Sequence, residues 1–315
     1  MQHVQRGPVS KEEGQIQSDA ALVANGWPTD NVTFLRSLPA ARFVRNINNA
    51  INDSWTGSVD DCVLHELPGT LFDDPSISLN AEQIIVGFNS MDGTVASPWN
   101  IGVTPFTERE YRKLIGDYIH DDYVREQLVS HYYSPSNFTP YHFDNIALYS
   151  NVELAWWTMN GDVCVLCPTL QMAARISYSK IEDQQLYVYD FKGPGHDGSY
   201  YAPHGSEIPF VFDYGLRDGK HKWIDPVFFH IPFDDQLSDF MLSSWVRMAR
   251  EGKPWSDWES FDVFDYNVLS IANVAAIGNE RDFFNQYRDG VCPFWFNQVD
   301  EQIMKDICSD VKYGL

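Results

Sequence analysis

Gln83-Ile84-Ile85-Val86-Gly87-Phe88, followed at once by Asn89-Ser90-Met91-Asp92-Gly93, is the stretch on which the fold turns. A short, unbroken apolar run that halts in turn-forming residues suits a strand covered on both faces, as in a parallel sheet. Leu186-Tyr187-Val188-Tyr189-Asp190-Phe191 reads as a second strand, rich in β-preferring side chains, and it opens into a Gly- and Pro-rich loop, Lys192 to Pro203. Helical spacing fills the ground around them. It covers Asp30 to Asn49, Thr107 to Tyr133 (broken near Gly116 and Asp121), about Asp144 to Met159, about Pro168 to Ser179, and Leu237 to Arg250. Gly252-Lys253-Pro254 stops the last of these. The first eighteen residues are polar and poorly patterned, and are expected to fray. Strands alternating with long helices give an α/β architecture. Two or three legible strands are few for a full doubly wound sheet, so an incomplete sheet is expected.

Composition narrows the partners. In 315 residues, 22 Lys+Arg stand against 44 Asp+Glu, a formal net charge of −22. That balance argues against nucleic acid, which is bound through clustered Lys and Arg. The mean hydropathy is −0.32, and no apolar run approaches the roughly 18 residues of a transmembrane helix. Met1 to Gln17 contains no apolar h-region, so no signal peptide is recognisable. With 44% hydrophobic and 15% aromatic residues the chain has the material for a sizeable core. Nothing in the pattern calls for a cofactor or a metal, and nothing sets an oligomeric state.

Five cysteines, Cys62, Cys164, Cys167, Cys292 and Cys308, make no disulfide framework by number alone. Cys164-Val165-Leu166-Cys167 has the C-x-x-C spacing of a redox dithiol or of half a zinc site. A second pair is missing, and neither Cys292 nor Cys308 has a histidine nearby. Both readings stay open on spacing.

In sheets of this class, function gathers in loops just past the carboxyl ends of strands. Asp92 follows the first strand, and His204 follows the second after a loop that also carries His196. An acid and then a histidine, each in a post-strand loop, match the second and third members of a hydrolytic triad in α/β-hydrolase order. An Asp-Gly after a strand is also an ordinary turn, and a loop histidine is ordinarily solvated. Glu207 is either a surface carboxylate or a buried one supporting the histidine loop.

Five stretches, taken together and in order, resemble the C-terminal part of the type B carboxylesterases, the family of cholinesterases and neuroligins. They are Ile85 to Gly93; Gly161 to Thr169; Ala202-Pro203-His204-Gly205-Ser206-Glu207-Ile208-Pro209-Phe210-Val211-Phe212; Trp245 to Pro254; and Cys292-Pro293-Phe294-Trp295. The resemblance implies the C-terminal portion of an α/β-hydrolase fold, an incomplete and mostly parallel sheet flanked by helices. It divides the chain into a lead-in at 1–24, a partial esterase domain at 25–297, and a C-terminal helix or tail at 298–315. It further implies that His204 is the general base, and that Asp92 is the orienting acid where the family usually has Glu. Asp is one methylene shorter, so the loop must come closer or the acid–histidine bond must lengthen. A disulfide between Cys167 and Cys292 is implied as well, which favours an oxidising compartment. Trp27 and Phe34 stand where the family has another disulfide, both halves being replaced together.

The chain contains no G-x-S-x-G nucleophile elbow and no Gly-Gly-Gly oxyanion stretch. In the family both lie ahead of the region matched here. The expected function is therefore the acid-and-histidine portion of a serine carboxylesterase, acting on small-molecule carboxylic esters when completed and inactive alone. The alternative is a non-catalytic interaction module, as in the neuroligin branch.

Overall fold

A computed structural model describes residues 9–51, 57–66, 81–93, 107–139, 141–143, 146–178, 184–193, 202–213, 235–272, 277–281 and 290–309. The chain divides into two compact units, His3–Ile77 and a larger one built from Ser78–Leu315 together with Met1–Gln2.

The smaller unit holds α1 (Lys11–Ala24), α2 (Val32–Ser37) and α3 (Ala40–Ile51). The expectation that the first eighteen residues fray is corrected for residues 11–18, which are helical; residues 1–8 lie outside the described residues. Ser10 and Glu13 form a reciprocal capping box that satisfies the first free amides of α1, and Ala21 and Leu22 bury its inner side. The single helix expected over Asp30 to Asn49 is two helices. Leu38, which precedes Pro39, is forced into the extended region and ends α2. Trp27 is buried and stacks on Phe43, while Phe34 packs against the same cluster. An apolar cluster thus occupies the place where the resemblance puts a disulfide.

The larger unit opens with β1 (Gln83–Asn89). Next come α4 (Glu108–Tyr118) and α5 (Asp122–Glu126), the latter running on as a π-helical turn, Gln127–Tyr132. The break expected near Asp121 is present because its carboxylate caps α5 through the Val124 amide; Gly116 breaks nothing. Of the helix expected from Asp144, Ile146–Tyr149 is instead a strand, β3, antiparallel to β2 (Tyr141–Phe143); Asp144 itself lies outside the described residues. Ser150 and Glu153 then close a capping box that starts α6 (Asn151–Gly161). The gap expected between two helices is bridged by a π-helical turn, Asp162–Leu166, leading directly into α7 (Cys167–Tyr178).

After β4 (Gln185–Phe191) come the short α8 (Ile208–Val211) and then α9 (Asp235–Glu251), which stops where Gly252 turns to φ 73°. The chain continues through β5 (Val268–Ile271), β6 (Gly278–Glu280), α10 (Val291–Gln298) and α11 (Glu301–Ser309). The sheet order is β1-β4-β5-β6, parallel except for β6. Tyr187, Phe191, Leu269 and Ile271 pack with Leu237 and Met241 of α9 on one face. Helix α7 packs on β1 and β4. This is an open, mostly parallel sheet flanked by helices.

Two disulfides tie the π turn and the start of α7 to the last two helices: Cys164 to Cys308 and Cys167 to Cys292. The redox and zinc readings of the C-x-x-C end there, because its two thiols are committed to different partners. Cys164–Cys308 was not legible from spacing. Trp295 Nε1 donates to the Tyr133 hydroxyl, which donates to the buried Asp162, so the same π turn is also held by hydrogen bonds.

Candidate active site

Parallel pairing decides where the two expected site residues go. β1 and β4 run in register from Gln83↔Gln185 to Asn89↔Phe191, so both strands end at the same level and release their loops side by side. The loops stay joined beyond the strands. Ser90 N–H donates to Phe191 O at 3.0 Å, and Met91 N–H donates to Ala202 O at 3.1 Å. Each loop also has an apolar anchor: Met91 against Leu154 and Trp157 of α6, and Phe210 in the sheet core.

Within this frame His204 Nδ1 lies 2.9 Å from Asp92 Oδ1. A carboxylate only accepts, so Nδ1 carries the proton in this bond. Asp92 is 4% exposed and His204 21%, which buries the acid behind a histidine that still reaches solvent. The second oxygen of Asp92 accepts the backbone N–H of Asn89 at 2.7 Å. The shorter Asp side chain thus reaches the ring without a long bond. Close backbone approach is part of the reason. A Cβ on Gly93 would meet Trp157 O at 1.9 Å, and one on Gly161 would meet Gly93 N at 2.8 Å. Two glycines let α6 press directly on the acid turn. On the other loop, Gly205 adopts φ 76° immediately after His204, a conformation that favours glycine.

Glu207 is buried, which answers the alternative left open on sequence. Burial is the main cause that raises its carboxyl above the ordinary 4.5, and the nearby Asp92 adds to it; the Asn89 hydrogen bond opposes. Folded Glu207 therefore holds its proton more tightly than the unfolded chain does. Its burial penalty is absent below pH 4.5 and grows as pH rises through the raised folded value. Urea unfolding between pH 4.5 and neutrality is expected to show a loss of stability that Glu207→Gln flattens; an identical slope in the variant would contradict this.

Two groups were not read from the sequence as part of this site. Asn89 ends β1, and its carboxamide donates to Glu207 Oε2 at 2.6 Å and to Pro203 O at 3.0 Å. A polar residue closing an apolar strand was the signal. Tyr189 lies over Gly87, where a Cβ would meet its ring at 2.2 Å. Burial holds the Tyr189 phenol in its protonated form, helped by Glu207 and Asp92. His196 lies outside the described residues.

A carboxylesterase family model matches residues 9–295. The chain belongs to the carboxylesterase family. Two solved structures of PNB esterase share the fold. One has TM-score 0.58 and 16% identity over 90% of this chain and 55% of that chain; the other has TM-score 0.57 and 15% identity over 90% and 54%. This carboxylesterase-family chain therefore spans about half the length of those two structures. A comparison with curated proteins finds no match.

Proposed function

We propose that His204 and Asp92 are the general base and the orienting acid of a carboxylic-ester hydrolase, whose serine and oxyanion donors come from polypeptide other than these 315 residues. The observation that carries this reading is the 2.9 Å bond between Asp92 and His204 at the ends of neighbouring parallel strands. With Nδ1 tied to the acid, Nε2 takes the proton of a serine hydroxyl attacking the ester carbonyl and returns it to the leaving alcohol. Asp92 keeps the ring in that tautomer and stabilises the imidazolium. Glu207 supports the histidine loop from behind through Asn89.

Without an elbow serine the base has nothing to activate. Loss of a single oxyanion donor already lowers turnover roughly a hundred- to a thousandfold, so the isolated chain is inactive on this reading. Purified chain is expected to hydrolyse a nitrophenyl ester no faster than buffer. Hydrolysis abolished by His204→Ala would mean that a nucleophile lies within the chain.

The missing elbow also favours a second reading, an esterase-like interaction module. Coding sequence upstream of Met1 separates the two: a G-x-S-x-G there supports the hydrolase, and an in-frame stop supports the module.

A further inference from the structure

We infer that Asn89 is a positioning residue for the His204–Asp92 pair, setting the distance between the acid loop and the histidine loop. The inference rests on reading that pair as base and acid. Asn89 is the last residue of β1 and is 4% exposed. Residues Ile85, Gly87 and Asn89 alternate onto one face of the strand, where Ile85 packs on the core cluster and Gly87 lies under Tyr189. The pattern calls for an apolar side chain at position 89. A buried carboxamide there is unfavourable unless it is hydrogen-bonded.

Three of its bonds lead to the pair. Its backbone N–H holds Asp92 Oδ2 at 2.7 Å, while its side-chain nitrogen holds Pro203 O at 3.0 Å and Glu207 Oε2 at 2.6 Å, on either side of His204. Asn89 Oδ1 meets no donor among the described residues. Among the described residues the carboxamide is therefore oriented by what its nitrogen donates to. One residue spans both loops. It also keeps the second buried carboxylate occupied, so that Glu207 does not compete with Asp92 for the His204 N–H.

The test is proton NMR of the ¹⁵N-labelled full chain, following solvent exchange of the His204 Nδ1–H, assigned by its loss in His204→Gln and its response to Asp92→Asn. Asn89→Leu keeps the backbone amide and the branched heavy-atom skeleton but removes the side-chain donors. Exchange is expected to quicken by about tenfold or more, the factor carried by one hydrogen bond to a charged group. Val268→Ala, a cavity variant in β5 away from both loops, is expected to leave exchange unchanged. If Asn89→Leu does not fold, Asn89→Ser, too short to reach Glu207, is read in the same way. Unchanged exchange in the Asn89 variant, or equal acceleration in Val268→Ala, overturns the positioning role. An unaltered chain with no Asp92-dependent resonance overturns the pair itself and the positioning role with it.

Discussion

In a complete enzyme, Asp92→Asn is expected to lower turnover by about ten-thousandfold, the effect of holding a triad histidine in the wrong tautomer. The reason is local. Asp92 Oδ1 faces His204 Nδ1 at 2.9 Å, and Oδ2 is already taken by the Asn89 amide. That second bond fixes which oxygen faces the ring. An amide at position 92 must present its oxygen to Asn89 N–H and so turns its NH2 toward Nδ1. The imidazole then accepts at Nδ1, carries its proton on Nε2, and has no lone pair to offer a serine. The steady-state rate on a nitrophenyl ester, with KM measured separately, checks this. The fall belongs in kcat, and an unchanged kcat would remove Asp92 from the role of acid.

Replacing Cys164, Cys167, Cys292 and Cys308 together by alanine is expected to remove about 8 kcal/mol of stability, a figure that follows from how the two bridges nest. Cys164–Cys308 closes a loop of 144 residues and Cys167–Cys292 one of 125 inside it. Either alone takes about 5 kcal/mol of entropy from the unfolded chain. Once one is closed, the other closes only a ring of roughly twenty residues, about 3 kcal/mol more. Removing a single bridge therefore lowers stability by about 3 kcal/mol, less than half the combined loss. Domains are ordinarily stable by about 5–15 kcal/mol, so the quadruple variant loses from about half to all of that stability. Urea titrations of the two double variants and the quadruple variant measure this. Equal midpoints in all forms would contradict it. The site is expected to respond as well, because the bridged π turn directly follows Gly161, which abuts the acid turn.

Much of this molecule was legible in the sequence because its central features are local. Gln83 to Phe88 and Leu186 to Phe191 are apolar runs of strand length bounded by turn residues, and they form the two strands that carry the site. The C-terminal end of α9 was readable from Gly252. What escaped depends on partners distant in the chain. β5 is four residues long and wholly buried, too short to show a period. Ile146 to Tyr149 carries helical spacing, but the capping box of Ser150 and Glu153 sets the helix start after it. Cys164 sits three residues before Cys167, and no spacing rule says that they take different partners. Glu207 offered no sequence signal of burial. Its environment is made by Asn89, 118 residues earlier in the chain.

The most direct measurement supplies a nucleophile elbow from outside these 315 residues. Joined to a carboxylesterase segment bearing a G-x-S-x-G elbow, the chain is assayed on a nitrophenyl ester with His204 intact and as His204→Ala. The account predicts turnover with the histidine and a loss of about a million-fold without it, as when the base of a triad is removed. Equal rates from the two forms would contradict it.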